Sequence, residues 1–206
     1  MNKSLSIFSL IVILCSCSTS NYMPGFDFKL FKNTPVSQLA TAVAKEDTEQ
    51  METILKDTSI KVDYHEPKFG NTLLMLAVVN NKQKSVKKLL EVGANPKEKD
   101  YYDNATSLIY ACEYHLNNCD TSILKMLIEQ RANVNVIQNI DRVEDNCAHS
   151  FVKTTPLMIA AKTGCLNIIQ TLLNSGAAIN AYTYYEGYGT LSKAITLSEQ
   201  IACAQL

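Results

Sequence analysis

Five residues of metal-ligating or nucleophilic type fall within one stretch of the chain: Cys112, His115, Cys119, Cys147 and His149. Zinc takes thiolates and imidazoles, and two short spacings, 112 to 115 and 147 to 149, bring such side chains close in sequence twice. The same residues could supply a Cys–His nucleophilic pair. Neither chemistry is reinforced elsewhere. The chain contains no H-E-x-x-H, no phosphate-binding loop and no G-x-S-x-G. The expectation is therefore no metal, no cofactor and no catalysis.

A different chemistry is written at the start. Lys3 precedes Leu5 to Leu14, ten residues that are apolar apart from Ser6 and Ser9. This run is too short for a bilayer, which takes about 20 residues, and fits the apolar core of a secretory signal. Leu14-Cys15-Ser16-Cys17 follows. It resembles a bacterial lipobox, with an aliphatic residue three before the cysteine and a small one just before it. Cys15 fits worse, because bulky Leu14 would occupy the cleavage site. The resemblance implies lipid attachment at Cys17, a signal over residues 1–17 and a tether over 18–34. The protein would be exported and lipid-anchored to the bacterial envelope. Ser18, where Asp would retain a lipoprotein at the inner membrane, implies the outer membrane facing the periplasm. The alternatives are an ordinary cleaved signal or a short buried helix.

Composition narrows the partners. The 206 residues are 47% hydrophobic and 19% charged, with a formal net charge of −1. That is globular composition, and it argues against nucleic acid, whose phosphates need clustered Lys and Arg. Seven Gly and five Pro are too few for a turn-rich sheet sandwich.

From Pro35 onward one pattern recurs. Leu-x-x-Ala occurs as Leu39/Ala42, Leu74/Ala77, Leu108/Ala111, Leu157/Ala160 and Leu191/Ala194, at spacings of 35, 34, 49 and 34. Aliphatic doublets follow at Ile54-Leu55, Leu89-Leu90, Leu127-Ile128 and Leu172-Leu173. Each copy reads as two short amphipathic helices, the first carrying a small Ala at the close contact and the second ending near a C-cap such as Gly93. Such a pair cannot bury both faces alone, so copies must stack. Thr72-Leu73-Leu74-Met75-Leu76-Ala77 and Thr155-Pro156-Leu157-Met158-Ile159-Ala160-Ala161, each continued by a Gly-Ala turn, resemble the ankyrin repeat. The resemblance implies an all-α solenoid over residues 35–206: about four full helix-pair repeats, a partial fifth, and short hairpin loops between them. The family's box His is replaced by Met75, Ile109, Met158 and Ser192, so its capping hydrogen bond should be missing. Arg131 stands where a C-cap Gly belongs, so that helix end should be strained or reshaped. Thr34-Pro35 opens the first copy two residues out of register. After Leu191 the next doublet would begin at Leu206, which leaves the fifth copy incomplete.

Copies differ where function can reside. The third carries insertions near 113–120 and 136–154, expected as loops. The links between copies hold Tyr64, Tyr101, Tyr102, Tyr182, Tyr184, Tyr185 and Tyr188, with His65 and Phe69. Together with Tyr114 these are the candidate protein-contact residues, since tyrosine offers large area at low entropy cost. Some of these rings are expected to pack on their own hairpins. Beyond Cys15 and Cys17 an odd number of cysteines remains, so at least one stays unpaired. Cys119 and Cys165 fall in matching turns of adjacent copies and form the favoured disulfide, with Cys119–Cys147 as rival. The reading that emerges is a tethered, non-enzymatic binder of a protein partner whose identity the sequence does not give. An immunity protein facing a toxin, or an envelope redox or metal-linked stress protein, are its alternatives.

Overall fold

The computed structural model describes residues 24–114, 119–143, 149–179 and 185–186, and at 24, 139–143, 149–152 and 185–186 the backbone alone. Four helix pairs follow one another: α1 (Ser37–Lys45) with α2 (Thr48–Leu55), α3 (Leu73–Val79) with α4 (Gln83–Glu91), α5 (Ser107–Tyr114) with α6 (Ser122–Glu129), and α7 (Pro156–Thr163) with α8 (Leu166–Asn174). The first helix of each pair carries the Leu-x-x-Ala residues, and all eight in these copies are buried. They join Met51, Val86, Leu89, Leu124, Leu127, Ile168 and Leu172 of the second helices in one continuous core. The fifth copy lies outside the described residues.

Local chemistry sets the helix ends. Thr72 and Thr155 are N-caps whose hydroxyls accept from the backbone N–H of Met75 and Met158, each at 3.3 Å. Pro156 occupies the first turn of α7. The expected loss of the second capping bond is corrected at Met75, whose sulfur accepts from the Thr72 N–H at 3.3 Å and closes a capping box. A thioether is a weak acceptor, yet it reaches the same donor. Thr34 does not cap the first copy. α1 begins after Val36, and the Thr34 hydroxyl donates back to the Phe31 carbonyl.

The turn inside each pair passes through the left-handed region at Glu46, Asn81, Cys119 and Gly164, and the turn after the second helix does so at Gly93, Arg131 and Gly176. Arg131 is strained rather than reshaped. Its φ is 62°, and the following Ala132 N–H reaches the Leu127 carbonyl just as Ala94 reaches Leu89 and Ala177 reaches Leu172.

Two expectations about irregular segments are corrected. The second insertion is not a loop. It is an antiparallel hairpin of β1 (Gln138–Val143) and β2 (His149–Thr154), with register running from Gln138 opposite Thr154 to Val143 opposite His149. β3 (Tyr185–Glu186), from the next interrepeat link, adds to it opposite Val152 and Phe151. Ile, Val, Phe and Thr supply the strand preference, and the ladder satisfies backbone groups that a loop would leave to water. Nor are residues 24–34 a tether. They form two 3-10 turns, Pro24–Phe26 and Phe28–Phe31, the second capped by Asp27. Phe31 is wholly buried, and Phe26 and Phe28 pack on the core. Among the described residues no helix is long and apolar enough to cross a membrane.

Candidate functional site

Two buried acids shape the links between copies. Glu66 is fully buried, and its carboxylate accepts from the N–H groups of Lys68, Phe69 and Asn71. Asp100, 34 residues on, repeats the arrangement and accepts from the N–H groups of Tyr102 and Asp103. Each gathers otherwise unmatched donors of a tight turn, which makes burying a charge tolerable. Asp100 also accepts from the Tyr110 hydroxyl at 2.5 Å. Burial, then the Asp100 charge and hydrogen bond, push the Tyr110 phenol far above its usual range, so it stays a donor.

These turns place the aromatic candidates differently. Tyr101 and Tyr102 project outward, 67% and 77% exposed. The Tyr101 N–H donates to the Phe69 carbonyl of the preceding link, and its ring stacks on His65 at 5.3 Å. The His65 ring lies between two acceptors, the Gly70 carbonyl at 2.6 Å and the Glu98 carboxylate at 3.0 Å. Gly70 has φ 75°, and a Cβ there would fall 2.3 Å from the Tyr101 ring. Tyr64 is half-buried and packs on the core beside Phe31. Of Tyr185 only the backbone is described, paired in β3, while Tyr182, Tyr184, Tyr188 and Cys17 lie outside the described residues.

Tyr102, Phe69 and Tyr114 converge on a cavity of about 390 Å³. Residues that sequence reasoning missed complete it: Phe26, Asn71, Asp103, Tyr110 and Glu113. Phe26 meets Tyr110 and Tyr114 edge to face, at 5.1 and 5.3 Å between centroids. Phe26 is held from below, because the Asn80 amide donates to its carbonyl at 3.0 Å. The Asn71 amide donates to the neighbouring Gly25 carbonyl at 2.9 Å. The legible signal was Tyr110 and Tyr114, spaced i, i+4 on a first helix at positions that copy two fills with Leu76 and Asn80. The cavity is acidic. Burial, with the Asp103 charge added, pushes the Glu113 carboxyl up, against a smaller opposing pull from Lys162.

Sulfur chemistry lies at another edge. Cys119 and Cys165 form a disulfide with Cα atoms 5.4 Å apart. It joins the helix-pair turns of copies three and four. Cys112 is a buried free thiol, pushed well above the usual range by burial and then by Glu113. Of the residues considered for zinc, Cys119 is thus committed to sulfur, His115 and Cys147 lie outside the described residues, and His149 is described in backbone only. Among the described residues no group of three or more His, Cys, Asp or Glu side chains is placed to hold a metal ion.

Comparison with known proteins agrees with this geometry. A family model described as ankyrin repeats in three copies matches residues 39–138 and again 102–183. Over 136 residues the chain is 32% identical to the human transient receptor potential cation channel subfamily A member 1. That match covers 66% of this chain but 11% of the channel protein.

Proposed function

The chain belongs to the ankyrin-repeat family, and from that premise we propose that it is a non-enzymatic module that binds a protein partner through its interrepeat tips and the adjoining aromatic cavity. The observation that carries this is the exposure of Tyr101 and Tyr102 on a link stiffened by Asp100, beside a cavity walled by Phe26, Tyr110 and Tyr114. Large exposed rings on a rigid support lose little freedom on binding, which is how a small patch supplies most of an affinity. The matched region of the channel protein supports the repeat itself and brings no channel activity with it. The Leu14-Cys15-Ser16-Cys17 motif after a ten-residue apolar run supports export and attachment through a lipid on Cys17.

The test is affinity capture with the tagged mature protein and mass spectrometry of what it retains, repeated with a Tyr101→Ala/Tyr102→Ala variant. A specific protein should be lost from the variant while its thermal transition stays in place, since hot-spot rings cost about 2 kcal/mol or more on truncation. Retention of the same proteins by both forms would move the surface elsewhere. For the anchor, Cys17→Ala should create a soluble pool of a protein that otherwise fractionates with membranes. An unchanged membrane fraction would remove the lipobox reading.

A further inference from the structure

The cavity beside Tyr102 holds more acceptor capacity than the protein itself uses. Asn71 is 2% exposed, and its amide nitrogen is committed to the Gly25 carbonyl. That bond fixes which end of the amide carries oxygen, and the buried Oδ1 has no hydrogen-bond partner among the described residues. A native fold rarely leaves such an atom unmatched, because burying an acceptor without a donor is costly. Two acids, Glu113 and Asp103, line the same cavity, together with the phenols of Tyr102, Tyr110 and Tyr114. Asp100, outside the lining, is engaged by two N–H groups and by the hydroxyl of Tyr110. Lys162 of α7 acts on Glu113 from outside the lining, and the charged side chains of the lining itself are both acidic.

The remaining wall is aromatic. Phe26, Tyr110 and Tyr114 stand at steep angles to one another, 79° and 66° from the Phe26 plane, so ring faces as well as edges border the space. Ring faces attract cations. Phe69 of the same lining shows this at one ring, with the Lys68 ammonium 4.8 Å from its centroid. The unmatched Asn71 Oδ1 calls for a donor from whatever enters, and the volume of about 390 Å³ admits a long side chain.

We propose that this cavity receives one cationic side chain, Lys or Arg, from the protein partner, with its charged head at Glu113 and the Asn71 Oδ1 and its stem against Phe26 and Tyr114. This rests on the protein-binding reading above and specifies the partner's chemistry: a projecting basic residue. Tyr102 at the mouth would close over the stem. Ammonium and guanidinium heads share the required chemistry of donors plus positive charge, and the planar guanidinium could in addition lie flat on a ring.

The experiment uses the mature chain and three small probes: the N-acetyl, N-methylamide derivatives of lysine, arginine and norleucine, followed by NMR of the tyrosine ring resonances. Norleucine keeps the stem and lacks the charge. Saturable shifts at Tyr110 and Tyr114 are expected with lysine or arginine, with affinities on the order of 1 mM for a single side chain. Norleucine should bind about tenfold more weakly. Glu113→Gln should weaken the cationic probes about tenfold and leave norleucine unchanged, and Tyr102→Ala, altering an exposed ring, provides a second variant that keeps the fold. Whichever cationic probe binds tighter identifies the preferred head group. Norleucine binding as well as lysine and arginine would overturn the proposal, as would the absence of a saturable shift with either cation. Both results are independent of whether the Tyr101→Ala/Tyr102→Ala capture experiment finds a partner, so the cavity proposal and the module reading can fail separately.

Discussion

Arg131 holds φ 62° at a position where Gly93 and Gly176 hold 93° and 86°. A side chain in that region costs about 1–2 kcal/mol, part of which glycine returns through its freer unfolded chain. Arg131→Gly is therefore expected to stabilise the protein by about 0.5–1 kcal/mol, read as a higher urea midpoint with an unchanged slope. A midpoint that stays put or falls would mean the arginine side chain makes contacts that offset its backbone. Glu113 gives a second prediction, with a definite sign. Burial favours its protonated form in the fold, Asp103 of the preceding link adds to this, and Lys162 of α7 opposes it. A carboxyl raised on folding contributes stability at low pH that is lost as pH climbs from the ordinary carboxylate range through the folded value. Glu113→Gln should thus be more stable than the parent at neutral pH, with the difference shrinking as pH falls toward about 4. Urea titrations across that window would show it, and a gap independent of pH would contradict it. A destabilising acid retained beside an unmatched Asn71 oxygen is the pattern expected of a binding cavity rather than of a core.

At the scale of elements, the helices were legible and the segments around them were not. Leu-x-x-Ala with a doublet 15 residues later, or 19 in the third copy, fixes both helices of a copy, because burial repeats with the period of the stack. Thr before Pro or Leu marks the helix start by supplying an acceptor to orphan donors, and Thr72 and Thr155 sit there. The strands of the second insertion carry no such period. Their pairing joins residues of one link to Glu186 and Tyr185 of the next, a partner that no local window contains. The first 3-10 turns were passed over for another reason: they belong to no repeat, so counting by repeats leaves them out. Phe26, Phe28 and Phe31 within six residues were the available signal, since a solvated tether has no use for three phenyl rings. Phe26 then supplies a cavity wall, which is why that wall was invisible while Tyr102, Phe69 and Tyr114 were picked out. The consequence is measurable. Phe31 is fully buried against the first copy, so Phe31→Ala should cost about 3–5 kcal/mol, far beyond what a tether residue could cost. A loss below about 1 kcal/mol in denaturant titration would return the segment to a loosely attached tail.

Across the whole molecule, stability comes from each copy and from the seams between neighbours. Copies one and two are fastened by the buried Ser85 hydroxyl donating to the Val43 carbonyl and by the Lys84 N–H donating to Glu46. Copies two and three share the Gln83–Asp120 hydrogen bond between corresponding turns. Copies three and four carry a covalent fastener at those turns, Cys119–Cys165, besides the bonds of Asn135 to Gly176 and Ala178. The insertions of copy three stretch the spacing from Leu108 to Leu157, so the chain between copies three and four is the longest and orders at the greatest entropic cost. A bridge between positions 46 apart limits that cost by restricting the unfolded chain, an effect of about 2–4 kcal/mol. Reduction should therefore lower stability by about that amount, and unevenly. The amides of α7 and α8 should exchange faster while those of α3 and α4 keep their protection, so the single unfolding transition should split. Cys112 offers an internal control: its thiol is buried and held protonated, so it should stay unreactive toward alkylation in the folded protein, reduced or not. Peptide mapping without reduction should recover Cys119 and Cys165 in one linked fragment. A free thiol at Cys165 in protein from an oxidising compartment would remove the fastener, and uniform loss of protection over all four copies on reduction would show that the seams, bonded or not, already make the stack one cooperative unit.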